Sequence, residues 1–173
     1  GLQCLKRLYL ECYQRELADP IDPSQQHLFD MGTAIGELAR EVYPSGKLIE
    51  EKYFEHQEAV RSTELILKNS LVGALFEPAF EFEEIRTRVD ILTGSGGQEF
   101  DLIEVKSSTS AKKEHIPDIA IQIHVLEGSE VRVGRAYLMH INNAYVYQGG
   151  PLDLKQFFSL TDVTDDSREF LSN

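Results

Sequence analysis

Residues 100–108, FDLIEVKSS, place an acid and a lysine two positions apart inside a run that otherwise reads as the core of a sheet. Side chains alternate across a strand, so Leu102, Glu104 and Lys106 share one face and Ile103 and Val105 the other. The strand rise puts the Cα atoms of Glu104 and Lys106 roughly 6.5–7 Å apart. A charge among such apolar neighbours is expensive unless it is paired or used. The stretch therefore fixes a strand with two ionic groups side by side on one face.

Around it, the periodicity of the chain divides in two. Before Pro78 it is helical. Leu5, Leu8, Cys12 and Tyr13 repeat at helical spacing over residues 5–17, stopped at Asp19-Pro20. DPIDPS reads as a turn-rich connection. Leu28, Met31, Ile35, Leu38 and Val42 then recur at steps of three and four, and YPSG ends that helix. LIEEKYF is too short and charged to assign. Val60, Thr63, Leu67, Leu71 and Ala74 line one face of a helix over 57–75. After Pro78 the period becomes two. AFEFEE, IRTRVDIL and FDLIEVKSS read as strands, with TGSGGQE as a glycine-rich hairpin turn between the last two. IPDIAIQIHVLEG reads as a helix, with Pro117 in its first turn and Gly128 after its end. GRAYLMHI and AYVYQG read as two strands joined at NN, DLKQFFSL as a short helix, and residues 161–173 as a polar tail.

Helices, three strands, a helix and two strands imply an α/β or α+β domain with a mixed sheet. The 173 residues fit one domain with a core that needs no staples. No stretch has the ~18 consecutive apolar residues of a membrane span, and no secretory signal is expected. The chain opens on GLQCLKRLYL without Met, as a trimmed piece of a longer chain would. Two cysteines, Cys4 and Cys12, are too few for a disulfide framework or a four-thiolate cluster. They read as small buried residues in a reducing, cytoplasmic compartment. A net charge of −12 opposes simple electrostatic affinity for nucleic acid. It is compatible with acids that hold a divalent metal, which then supplies the charge a phosphate needs.

Asp90 falls near the end of the strand preceding FDLIEVKSS. A hairpin between the two strands makes them antiparallel and brings Asp90 towards Glu104. Two neighbouring carboxylates repel, and one has a raised pKa unless a cation lies between them. Magnesium suits such a pair, because it takes one or two carboxylates, keeps several waters and binds phosphate oxygens. A metal-bound water is a stronger acid, and a metal-polarised phosphate a better electrophile. Lys106 beside the pair can orient or deprotonate the attacking water, or neutralise developing charge. The plainer alternative is an ordinary ion pair of Lys106 with Glu104, with Asp90 capping a turn.

RVDIL, then IEVKSS, then a helix carrying Gln122 in IAIQIHVL, resembles the PD-(D/E)XK nuclease superfamily. The match is closer to its RecB-like branch, which includes the CRISPR-associated adaptation exonucleases. LQCLKRLYL is similar to the opening helix of that branch and FDMGTAIGELAREVYPSG to its first motif region, so the resemblance spans nearly the whole chain. It implies a restriction-endonuclease-like core of order α-β-β-β-α-β over residues 57–160, with a helical N-terminal part over 1–56. The sheet would have four or five strands with helices on both faces. It further implies Asp90 and Glu104 as metal-binding acids, the Val105 carbonyl as a further ligand, Lys106 as the catalytic lysine and Gln122 as a supporting residue. Val89 stands where the family often has proline. Gly36 stands where RecB-like members often carry a metal-binding histidine, and Glu37, the next residue, is either its substitute as a metal ligand or a plain surface residue of the helix. Only two cysteines mean that no iron–sulfur cluster is expected.

The expectation is thus a Mg²⁺- or Mn²⁺-dependent nuclease acting on single- or double-stranded DNA, as exonuclease or endonuclease. Part of its DNA affinity would come from a further domain or a partner protein, and no membrane is involved. A catalytically silent nucleic-acid-binding or scaffold module on the same fold is the alternative, and a hydrolase of small phosphorylated substrates a third. The histidines, His27, His56, His115, His124 and His140, show no ligand spacing. Lys112 and Lys113 are placed to touch a DNA backbone or to lie in a solvated loop.

Overall fold

The computed structural model describes residues 4, 6, 9, 10, 13–17, 20–69, 73–96 and 99–172. Leu5, Leu8, Cys12 and Leu71 lie outside these. Two sheets organise the chain. Six strands form the larger one: β1 (Lys47–Leu48), β2 (Ala74–Phe76), β5 (Ile91–Gly96), β6 (Glu99–Lys106), β7 (Arg132–Ile141) and β8 (Phe158–Asp162), in that spatial order. The hairpin of β3 (Ala79–Phe82) and β4 (Ile85–Arg88) forms the smaller sheet. β6 pairs antiparallel with β5 and parallel with β7. The parallel step requires a crossover, which α3 (Ile116–Gly128) supplies.

The alternation of β6 sorts the core into two layers. Leu75, Leu92, Leu102 and Leu138 face α3, where they meet Ile119, Ile123 and Leu126. Phe76, Ile91, Ile103 and Met139 face the other way, onto Ala39, Ile35 and Leu38 of α1 (Pro23–Arg40). Helices therefore cover both faces, and β6, central in the sheet, is apolar on both sides as such strands must be. α1 starts where DPIDPS ends. Asp22 accepts from the N–H groups of Ser24 at 2.7 Å and Gln25 at 2.9 Å, Gln25 Oε1 accepts the Asp22 N–H at 3.3 Å, and Pro23 opens the helix.

Several expected elements are placed differently. The helix read over 57–75 is α2 (His56–Asn69), and Ala74 belongs to β2, whose three residues are all buried. IRTRVDIL is not one strand. It breaks at Val89–Asp90, where the chain leaves the hairpin for the large sheet. AYVYQG is not a strand. Asn142 closes a turn there, with its Oδ1 accepting the Ala144 N–H at 3.0 Å and its Nδ2 donating to Gln156 O at 2.9 Å. The edge beside β7 goes instead to β8, after the single turn α4 (Leu154–Phe157). The expected polar tail contains α5 (Thr164–Ser172), which packs on α3 and is tied down by Arg168 to Glu127 Oε1 and Val133 O. Among the described residues the larger sheet has six strands rather than four or five. Cys4, expected to be buried, is exposed and free. Among the described residues, no helix is long and apolar enough to cross a membrane.

Candidate functional site

The break at Val89–Asp90 is what creates the site. β5 and β6 pair Ile91 with Ile103 and Leu92 with Leu102, so Asp90 lies one step beyond the ladder, level with Glu104. Released from strand pairing, the Asp90 carboxylate accepts the Val105 N–H through Oδ2 at 2.7 Å. Glu104 lies on the α3 side of β6, 9% exposed. Lys106 Nζ donates to its Oε1 at 2.7 Å, and Gln122 Nε2, one layer up on α3, donates to its Oε2 at 2.8 Å. Gln122 is itself buried, and its Oε1 has no hydrogen-bond partner.

Asp90, Glu104, Lys106 and Gln122 thus come together from three elements. Val105 joins them by its N–H, the group in contact with Asp90. Glu37 does not join them in the same way: it is exposed on α1. Gly36 has room for a side chain, since a Cβ there would meet nothing within 4 Å. Arg40, one turn later, reaches Glu77 Oε1 at 2.8 Å. Glu77 follows β2, and its N–H donates to Asp90 O at 3.2 Å. Neither Arg40 nor Glu77 is marked by any pattern in the sequence. Glu77 becomes visible only in the register across β2, β5 and β6, and Arg40 only through its bond to Glu77.

Electrostatically, the site is short of cation. Burial, and then the Glu104 charge, push the Asp90 carboxyl up to about 7, against the Val105 N–H and Lys106, which favour its ionised form. Burial alone would lower the Lys106 ammonium, but Glu104, Asp90 and Asp118 outweigh it and the net shift is upward. Lys106 is therefore a cation at neutral pH, a donor rather than a base in this state. Nearby, burial and then the Lys106 charge hold the His115 imidazole below its usual range. His115 Nδ1 is buried without a hydrogen-bond partner. His140 pairs with Thr161 Oγ1 at 3.0 Å and Ile141 O at 3.2 Å, and His124 with Glu83 at 3.4 Å. Among the described residues, no group of three or more His, Cys, Asp or Glu side chains gathers in a metal-binding arrangement. Lys112 is exposed and lies 3.6 Å from Glu114, and Lys113 is also exposed.

No protein-family model matches the chain. No curated protein matches it. Among solved structures, it is similar to one described as "Crystal structure of SSO0001", with 15% identity, 98% of this chain and 88% of that chain covered, and a TM-score of 0.29. A likeness that slight carries neither a fold nor an activity.

The site's chemistry rests on its own atoms. Two carboxylates from adjacent strands and an orphaned amide oxygen are hard oxygen donors, the set that magnesium or manganese takes. An ammonium beside them is placed to donate to an anionic oxygen.

Proposed function

We propose that this chain is a divalent-metal-dependent nuclease hydrolysing phosphodiester bonds, with DNA as its substrate. The reading rests above all on one observation. Asp90 and Glu104 converge from β5 and β6, and Lys106 is bonded to Glu104 at 2.7 Å. α2, β2, β5, β6, α3 and β7 supply the order α-β-β-β-α-β, with β3–β4 inserted between its first two strands. That order supports a restriction-endonuclease-like core. The raised Asp90 and the unpartnered Gln122 Oε1 support a cation as the group that these oxygens would hold.

Asp90 and Glu104 would hold the metal, with the Val105 carbonyl as a further donor. When bound, the ion would acidify a water and polarise the phosphate. The residues do the remaining work. The Asp90 carboxylate is fixed by the Val105 N–H, and Glu104 is oriented by Gln122 Nε2. Lys106, now bonded to Glu104 Oε1 at 2.7 Å, would be placed to donate a hydrogen bond to the attacking water and to neutralise charge on the phosphate oxygens. Its upward shift favours this donor role over that of a base.

The test is cleavage of labelled single- and double-stranded DNA by the purified chain with Mg²⁺ or Mn²⁺. Wild type should cut, and Lys106→Ala should not while melting as a folded protein. Equal behaviour of the two on every substrate would overturn the reading. A catalytically silent module is favoured by one observation: both Glu104 oxygens are already satisfied from within the chain. An active site should bind Mn²⁺ and lose it in Asp90→Asn, which a silent module need not do, and cleavage that Lys106→Ala abolishes would exclude the silent module.

A further inference from the structure

The strand register gathers two loops at one end of the large sheet. β1 runs parallel to β2 and continues into Ile49, whose N–H donates to Phe76 O at 3.0 Å. Phe76 pairs with Ile91, the first residue of β5, and Ile91 pairs with Ile103, just before Glu104. β7 runs parallel to β6, with His140 level with Lys106, and ends at Ile141. Residues 50–55, after β1, and residues 142–153, after β7, therefore leave the sheet at the end that carries Asp90, Glu104 and Lys106. At a strand spacing of about 4.8 Å, β1 lies roughly 14 Å from β6 on one side, and β7 about 5 Å on the other.

Both loops are fixed, and both leave aromatic side chains in solvent. Tyr53 is 87% exposed, Phe54 78% and Tyr147 59%. Arg88, two residues before Asp90, donates to Glu51 O at 2.6 Å and Lys52 O at 3.4 Å. The Lys52 N–H donates to Glu55 Oε2 at 2.9 Å, and the Glu55 N–H to Lys52 O at 2.8 Å. Across the site, the Tyr147 hydroxyl donates to Gly150 O at 2.6 Å, and Gly149 and Gly150, at φ 87° and 79°, supply the left-handed backbone of that turn. Rings carried on fixed loops are ordered in advance, which lowers the entropy lost when something binds them.

The chemistry of the loops selects what that is. A net charge of −12 opposes a ligand held chiefly through its phosphates. Stacking of a base on an aromatic ring needs no such charge, and only an unpaired base offers its face. Lys52 Nζ lies 5.9 Å from the centroid of the Phe54 ring, which sets one cation beside a ring for the phosphate of a stacked nucleotide. We propose that Tyr53 and Phe54 on one side of Lys106, and Tyr147 on the other, are stacking ledges for the bases of single-stranded DNA laid across the C-terminal end of β6. The inference rests on the nuclease reading above and narrows its substrate to the unpaired strand.

Binding of a labelled single-stranded oligonucleotide to the full chain, followed by fluorescence anisotropy in EDTA and low salt, tests this without metal or cleavage. Wild type should bind the strand more tightly than its duplex or an abasic strand of the same length, with a shallow salt dependence. Tyr53→Ala, Phe54→Ala and Tyr147→Ala should each weaken binding about fivefold or more, the lower end of the loss per stacked base. Tyr53→Trp should retain affinity and Tyr53→Leu should lose it, which separates stacking from general apolar contact. Thermal melts check that each variant is folded. No binding by wild type, equal affinity for strand, duplex and abasic strand, full affinity in Tyr53→Leu, or less than a twofold change in any of the three alanine variants would each overturn the inference. So would self-association in sedimentation that the Tyr53→Ala, Phe54→Ala double variant abolishes, which would assign the rings to a second copy of the chain. Selective strand binding without cleavage in Mn²⁺ would remove the nuclease reading and leave the ledges standing, whereas cleavage without such selectivity would do the reverse.

Discussion

Asp90 takes the Val105 N–H at 2.7 Å across a sheet that stops pairing one residue earlier. That bond ties the acid of β5 to the residue between Glu104 and Lys106. Three ionic side chains from two strands are thereby held through one backbone amide. The bond favours the ionised Asp90, while burial and Glu104 oppose it more strongly. The Val105 N–H thus holds Asp90 in place without neutralising it.

That imbalance predicts a pH dependence. The folded pKa of Asp90 is raised from 3.8 to about 7, so the native state keeps this proton where the unfolded chain has lost it. Its favourable contribution is complete below the unfolded value and is lost as pH rises from about 4 through about 7. Asp90→Asn keeps an acceptor for Val105 without the charge. In EDTA, urea denaturation at pH 5 and pH 8 should find wild type losing stability relative to the variant, with the variant the more stable at pH 8. Parallel behaviour of the two proteins would mean that Asp90 is not strained by its neighbours. Saturating Mn²⁺ should reverse the order by stabilising wild type alone.

Lys106 and Glu104 should be energetically coupled. Lys106→Met leaves a buried carboxylate oxygen without its donor, at a cost of about 1–3 kcal/mol. Glu104→Gln removes the charge that Lys106 neutralises. The double variant should be less destabilised than the sum of the single ones by about 0.5–3 kcal/mol, the range for residues in one ionic network. Additive losses would assign the bond at 2.7 Å to geometry without energetic weight.

Gln122 is placed by its donor. Gln122→Glu preserves the shape and puts a second carboxylate against Glu104 Oε2, where the amide now donates at 2.8 Å. In EDTA at pH 8 this variant should melt well below wild type, because like charges in a buried pair cannot both ionise cheaply. At pH 5 the two carboxyls can share a proton and much of the loss should return. A variant equally destabilised at both values would implicate packing instead of charge.

The residues that carry the site were legible because each sits in a strong local pattern. Glu104 and Lys106 interrupt an apolar strand, and Gln122 lies on a helix opened by Pro117 and packed on that strand. The edges of the fold were not legible. AYVYQG alternates as well as any strand, yet Phe158–Asp162 takes the place beside β7, with Phe158 buried and Val146 and Tyr147 exposed. Which run wins an edge depends on contacts distant in sequence, and no local period contains them. Ala74–Phe76 is too short an apolar run for its period to separate strand from helix. Arg40 and Glu77 are 37 residues apart, and the structure alone brings them together.

Gly128 ties the inserted hairpin to the helix that positions Gln122. It is the last residue of α3, and a Cβ there would lie 2.2 Å from Phe82 Cδ1 and 2.3 Å from Phe82 Cγ. Those atoms are at the root of the ring, so the side chain cannot swing away without moving β3. Phe82 also meets His124 edge to face at 5.4 Å between ring centroids, which narrows its freedom further. Gly128→Ala should therefore destabilise by about 1–3 kcal/mol, the usual cost of overpacking, despite the better helix propensity of alanine. Phe82→Leu in the same chain should recover part of that loss, although alone it should destabilise. Chemical denaturation of the four proteins measures both effects. A neutral Gly128→Ala, or no recovery in the pair, would mean that β3 shifts freely on α3 and that the hairpin is not what holds this end of the helix.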